Sequence, residues 1–143
     1  MKRRAIRYWT NRAIFTIGLL GIVLCIYMWS YQTTDKIIPC TYDGCEHVLT
    51  SEYSHMFGIP VSVFGFFYYV FVTFIAFERF FIKHKLLNTS LILLAVWGII
   101  FSAYLRYLEF AKIGSICVWC WVSMLFVVLI SLGIFIERRF NKE

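Results

Sequence analysis

Four long apolar stretches are the feature of this sequence that most restricts its fold. A helix needs about 20 apolar residues to cross the hydrocarbon core of a bilayer. Of the 143 residues, 61% are hydrophobic, and a soluble domain of this length would need far more polar surface. We therefore predict an all-α membrane protein, with four transmembrane helices in one domain, 1–143. The expected spans are residues 13–30, 60–77, 86–105 and 116–136.

The first apolar stretch follows a basic head, a pattern that a cleaved signal peptide would share. No small-residue cleavage site follows Ser30 directly, and three further apolar stretches come after it. We therefore interpret the stretch as a retained span. Cys25 lies inside this span and is expected to be a small, inert residue of a membrane helix.

The distribution of positive charge predicts the orientation in the membrane. The head, the second loop and the tail hold 5, 3 and 3 of the 14 Lys and Arg residues. The positive-inside rule then puts both chain ends in the cytoplasm. It also accounts for the net charge of +6, so we expect no nucleic-acid partner. The long first loop, 31–58, and the start of the fourth span then lie on the outer side of the membrane.

Four of the five cysteines fall on that outer side. Cys40 and Cys45 lie in the long loop, where an intervening Asp-Gly turn signal is compatible with a local disulfide. Cys117 and Cys120 form a C-x-x-C at the start of the fourth span. The unpaired N–H groups and positive dipole of a helix N-terminus favour a thiolate. This pattern suits redox exchange where a water-soluble partner meets a lipid-soluble one.

Three interpretations of these cysteines stay open on the residues alone. They are an electron relay between the two pairs, a structural zinc site, and two static disulfides in a membrane module without enzymatic activity. Zinc is disfavoured because one pair lies at the mouth of an apolar helix, and we expect no metal. The relay is favoured because it explains one pair in a polar loop and one in an apolar helix. A quinone acceptor would need an apolar, aromatic pocket near one sulfur.

The order of these motifs resembles the vitamin K epoxide reductase family, specifically its bacterial homologues. The resemblance covers roughly residues 13–137. It rests on Cys40, then Cys45-Glu-His-Val-Leu-Thr-Ser51, then Gly58-Ile-Pro at the opening of a span, and finally Cys117-Val-Trp-Cys120. DsbB-type enzymes have a similar activity but carry their C-x-x-C early and the separated pair later.

The resemblance implies a role for each site residue. Cys40 would accept electrons from a thioredoxin-like partner, Cys45 would exchange with Cys117, and Cys120 would face the quinone. Ser51 belongs to the family motif and would be a catalytic residue, although a helix cap or turn hydroxyl explains it equally well. The acceptor would be menaquinone, ubiquinone or phylloquinone. The partner would be a separate thioredoxin-like or DsbA-like protein, because the chain ends soon after the fourth span.

The function implied is a membrane thiol-disulfide oxidoreductase that supports disulfide formation. It would work in the bacterial cytoplasmic membrane with its active site on the outer face. The alternative is a vitamin K epoxide or quinone reductase proper. The sequence departs from the family where only four residues separate the loop cysteines, and where Met124 replaces a pocket Tyr of vertebrate members. We expect Arg106, Glu109 and Lys112 to be interfacial charges in a short loop.

Overall fold

The computed structural model describes residues 1–34 and 51–142, which form a bundle of four long helices. In this described part of the chain, all four are long and apolar enough to cross a membrane. The predicted all-α, four-span fold is therefore confirmed, while the assignment of 1–143 to one domain stays a prediction. Cys40 and Cys45 lie outside the described residues. The helices are α1 (Lys2–Thr34), α2 (Val61–Phe81), α3 (Lys85–Leu108) and α4 (Val118–Lys142).

Helix α1 begins in the basic head and not at the predicted start of the span. It has 33 residues, more than a bilayer crossing needs. The extra turns pack on the bundle, because the buried Asn11 donates its side-chain N–H to the Ala76 carbonyl of α2 at 2.9 Å. The basic head therefore also stabilises the packing of α1 against α2.

A short β-hairpin precedes α2 and was not predicted. Strands β1 (His55–Met56) and β2 (Ile59–Pro60) pair antiparallel after a 3₁₀ turn, Glu52–Ser54. The two residues between the strands, Phe57 and Gly58, have φ angles of +55° and +78°. Two left-handed residues in succession suit the tight type I′ turn that matches strand twist. The hairpin delivers the chain to the first residue of α2.

The loop predicted around Arg106, Glu109 and Lys112 is wrong. Helix α3 continues directly into a π-helical turn, Glu109–Ile113. Arg106 and Glu109 are three residues apart and form an ion pair, which allows both charges to remain in a helix. Gly114 ends the turn with φ +69°, and its N–H donates to the Glu109 carbonyl at 2.8 Å.

The helices pack around a core in which Ile14, Tyr69 and Ile130 are almost fully buried. Helices α1 and α2 cross closely, since Gly21 of α1 lies directly against the ring of Tyr69. Large aromatic side chains such as Phe74 are exposed on the outside of the bundle, as expected for a surface that contacts lipid.

A buried ion pair joins the helices at the end of the bundle that holds the N- and C-termini. Arg79 of α2 pairs with Glu137 of α4, and Arg79 also donates to Asn11 of α1 at 3.2 Å. Arg7 lies 3.9 Å from the same Glu137 carboxylate. Three helices are therefore tied by charged hydrogen bonds at this end, while the C-x-x-C lies at the other.

Candidate functional site

The structure brings Cys117 and Cys120 together at the N-terminus of α4. Cys117 precedes the helix, and its carbonyl accepts the N–H of Trp121 at 3.2 Å. Its Sγ accepts the backbone N–H of Cys120 at 3.4 Å. The sulfur thus occupies the position that a Ser or Asp oxygen usually takes at a helix N-cap. Both thiols are free in this structure.

Glu109 holds the backbone of Cys117 in place. Its Oε1 accepts the Cys117 N–H at 2.6 Å, and the carboxylate is 1% exposed. The carboxylate is paired with Arg106, whose guanidinium lies 5.3 Å from the ring centre of Trp121. The π-helical turn and the start of α4 are therefore connected through one buried carboxylate.

Sequence reasoning assigned Glu109 to the membrane interface, as one of three charges of which one could hold the outer loops over the site. The available signal was its spacing of three residues from Arg106 and eight from Cys117. A spacing of three residues brings two side chains together only in a helix. Because a loop was predicted around Arg106 and Glu109, the spacing was not interpreted as an ion pair.

The surroundings lower the pKa of the Cys117 thiol. The main cause is a hydrogen bond from the Cys120 thiol, and the Cys120 backbone N–H adds to it. Burial and the Glu109 carboxylate act in the opposite direction, while the Arg106 guanidinium helps to lower the pKa. The thiolate of Cys117, which is the reactive form in disulfide exchange, therefore forms at lower pH than that of an ordinary cysteine.

A cavity of about 310 Å³ opens within the bundle beside the C-x-x-C. Among the described residues, its wall includes Cys120 but not Cys117. The volume is at the lower end of the usual range for small-molecule sites, roughly 300 Å³ and above. The wall is mainly apolar and aromatic, which fits a flat ring system such as a quinone head. Its members include Cys25, Met28, Phe64, Tyr68, Trp97, Phe101, Met124 and Val127.

Two adjacent tyrosines of α2 line this cavity and differ in their hydrogen bonding. The Tyr69 hydroxyl is bonded to both the carbonyl and the Oγ of Ser123, each at 2.9 Å. The Tyr68 hydroxyl is buried and has no hydrogen-bond partner. Ser123 lies one turn after Cys120, so Tyr69 fixes α2 against the reactive end of α4.

Cys25 and Ser51 occupy different positions relative to the cavity. Cys25 is buried in its wall, although the sequence suggested only an inert helix residue. Ser51 begins the 3₁₀ turn, and its carbonyl accepts both the N–H and the hydroxyl of Ser54, at 3.0 and 2.7 Å. The Ser51 side chain makes no capping hydrogen bond to that turn. Ser54 lies in the cavity wall, so this segment covers the end of the cavity.

Of the two histidines that the structure describes, only His55 contacts this arrangement, through a 2.9 Å hydrogen bond between its Nδ1 and the Oγ of Ser54. His55 is in the hairpin, and His84 caps α3 by accepting the Leu86 N–H at 3.3 Å. No group of three or more potential metal ligands occurs within residues 1–34 and 51–142.

Membrane-crossing helices, a dithiol at a helix N-terminus and an apolar cavity beside one sulfur define a multi-pass membrane protein suited to redox chemistry. The family model described as "Vitamin K epoxide reductase family" matches residues 12–134. The chain belongs to the vitamin K epoxide reductase family. No curated protein matches the chain. Membership implies a membrane oxidoreductase of a quinone-linked family.

Proposed function

We propose that the protein passes electrons from a thioredoxin-like protein dithiol, through two cysteine pairs, to a membrane quinone, and so supports disulfide formation. The observation that carries this proposal is the different setting of the two sulfurs in the C-x-x-C. Cys117 is packed at the start of α4 and bonded to Glu109 through its backbone, whereas Cys120 lies on the cavity wall. Of the two sulfurs in the C-x-x-C, a lipid-soluble acceptor in the cavity would meet that of Cys120.

The proposed relay consists of thiol-disulfide exchanges that each break one S–S bond and form another. A partner thiolate attacks the Cys40–Cys45 disulfide at Cys40, and the second partner thiolate then releases the reduced pair. Cys45 next attacks the Cys117–Cys120 disulfide at Cys117, so that Cys120 leaves as a thiolate. Cys40 attacks Cys45, which restores the loop disulfide and releases Cys117. The Cys120 backbone N–H and the Arg106 guanidinium, which lower the pKa of Cys117 without needing a proton on the Cys120 sulfur, support this last step, since a thiol of low pKa leaves faster.

The quinone would then accept two electrons and two protons as the Cys117–Cys120 disulfide reforms. Within the cavity wall, Trp97, Phe101 and Met124 offer apolar surface for the ring. The helix N-terminus favours negative charge on the sulfurs during this transfer. Apolar side chains make up most of the wall, which limits the access of water to the reacting sulfur.

The position of the loop supports contact between the two cysteine pairs. Thr34 ends α1, and Ser51 begins the next described segment at the same end of the bundle as Cys117. Near this end the Tyr27 ring lies 5.5 Å from the ring of Trp119. Residues 35–50, which include Cys40 and Cys45, therefore connect two points on the side of the C-x-x-C.

The distribution of charge supports an outer location for this site. Most Lys and Arg residues lie in the head, the α2–α3 connection and the tail, all at the opposite end. We therefore propose a bacterial cytoplasmic membrane protein with cytoplasmic termini and an extracytoplasmic dithiol. Ser51 is proposed as a positioning residue for the loop.

Quinone reduction by purified protein tests the relay, with single Cys→Ser variants at 40, 45, 117 and 120. With a small-thiol donor, activity should be lost only in Cys117→Ser and Cys120→Ser. With a reduced thioredoxin-like donor, the variants at 40 and 45 should lose activity as well. Ser131→Ala is the control, because the Ser131 hydroxyl bonds the Val127 carbonyl of its own helix at 2.8 Å. Unchanged quinone reduction in Cys120→Ser would disprove the relay.

A further inference from the structure

The Tyr68 hydroxyl is the one tyrosine hydroxyl of the described cavity wall that is buried without a hydrogen-bond partner. A buried, unpartnered donor costs free energy that a ligand can recover by accepting its hydrogen bond. The other such polar atoms of the described wall belong to Arg106 and Glu109. Arg106 Nη1 and Glu109 Oε2 form the ion pair, while Arg106 Nε belongs to a charged guanidinium and has no partner. Tyr68 therefore carries the one neutral side-chain group of the described wall that is buried with its hydrogen-bonding capacity unused.

The packing around Tyr68 holds its ring at the cavity wall. Its ring meets that of Tyr69 edge-on, with centroids 5.2 Å apart, and Tyr69 is itself anchored to Ser123. On the other side, a methyl group at Gly98 would come within 2.5 Å of Tyr68 Oη. The absence of a side chain at Gly98 thus leaves room for the hydroxyl between α2 and α3.

We propose that Tyr68 donates its hydroxyl hydrogen bond to a carbonyl oxygen of the quinone and thereby selects quinones among the flat, apolar molecules of the bilayer. The inference rests on the proposed function, because it takes the cavity beside Cys120 as the acceptor site. Most of the wall provides only apolar contact, and Met124 has no donor. One donor at a fixed point of such a wall also sets the orientation of the ring relative to the sulfur.

The selectivity is tested by calorimetric titration of the full-length protein in detergent without any reductant, so that no turnover occurs. The two ligands are dimethylnaphthoquinone and dimethylnaphthalene, which share a ring system and differ in the two carbonyl groups. We expect Tyr68→Phe to weaken quinone binding by about 3- to 10-fold, the effect of one hydrogen bond, and to leave hydrocarbon binding within about 2-fold. The ratio of the two affinities is the decisive quantity.

Tyr104→Phe is the matched control, because it removes a tyrosine hydroxyl of α3 from a residue that is 46% exposed and outside the described cavity wall. The ratio of quinone to hydrocarbon affinity should stay at the wild-type value in this variant. An equal fall of that ratio in both variants would overturn the assignment to Tyr68. An unchanged ratio in Tyr68→Phe, with tight binding by the wild type, would also overturn it and leave the relay intact.

Infrared difference spectra of the bound quinone provide a second readout that does not depend on affinity. A hydrogen bond lowers the stretching frequency of a carbonyl group, so one of the two bands should be shifted down in the wild type. In Tyr68→Phe that band should return to the frequency of the free carbonyl. Identical spectra in both proteins would contradict the proposal. Failure of the wild type to bind the quinone at all would overturn the proposed acceptor site and this inference together.

Discussion

At the scale of single residues, the sulfur of Cys117 serves both as a helix cap and as a potential nucleophile. The C-x-x-C spacing makes this possible, because the Cys120 N–H is the third in the helix and points back at the cap. This part of the site was predictable from the sequence, since it depends only on local spacing. The role of Glu109 was not predictable in the same way, because the carboxylate reaches Cys117 through a π-helical turn and a left-handed Gly114.

The hydrogen bond from the Cys120 thiol leads to a prediction for the titration of Cys117. Cys120→Ala removes the donor and should raise the pKa of Cys117, so that the thiolate forms at higher pH. Cys120→Ser keeps an O–H donor and serves as the matched control with the lower pKa. The measurement is thiolate ultraviolet absorbance against pH, with Cys25, Cys40 and Cys45 replaced by Ala. Coincident titration curves for the two variants would contradict this cause of the shift.

At the scale of elements, the spans could be recognised while the connections between them could not. Apolar length is an additive property of a segment, so α1 to α4 were visible without any tertiary knowledge. The β1–β2 hairpin depends on Phe57 adopting a positive φ, which is uncommon for a residue other than glycine and was therefore not predicted. The π-helical turn contains Glu109, whose ion pair with Arg106 forms only when the two residues are already helical, so the sequence alone did not reveal it.

The close crossing of α1 and α2 predicts a strong effect of a single methyl group. In Gly21→Ala the new Cβ would lie 2.5 Å from Cε1 of Tyr69, whose ring is held by the bond to Ser123. The helices must move apart, and we expect the free energy of unfolding to fall by about 1–3 kcal/mol. Leu20→Val is the control, because Leu20 is 52% exposed on the outer face of the same helix. Unfolding in a denaturing detergent measures the free energy of unfolding of both variants. Equal stability of Gly21→Ala and Leu20→Val would contradict the close contact between α1 and α2.

At the scale of the whole molecule, the bundle has two ends with different chemistry. The basic end holds the buried pair of Arg79 and Glu137, and the other end holds the dithiol and the hairpin. The count of positive charges predicts which end faces the cytoplasm, because that signal is summed over the chain. The burial of one ion pair among the many charges could not be foreseen, since it depends on which side chains of three helices meet.

The buried ion pair should contribute to stability without contributing to the redox site. Arg79→Met or Glu137→Met alone leaves an uncompensated buried charge, and we expect each to cost about 3–5 kcal/mol of unfolding free energy. The double variant removes both charges and should recover most of that loss, although Asn11 then keeps only its bond to Ala76. Denaturing-detergent titrations provide the stabilities for a double-mutant cycle.

The same double variant tests whether the two ends of the bundle act independently. Its Cys117 titration and its dimethylnaphthoquinone affinity should equal those of the wild type, because Arg79 and Glu137 lie at the opposite end of the helices from the dithiol. If the double variant is as unstable as the singles, the ion pair is not the source of the loss. If it is stable but binds quinone less tightly, packing at the basic end is transmitted along α2 and α4 to the cavity, and the site extends over the whole bundle.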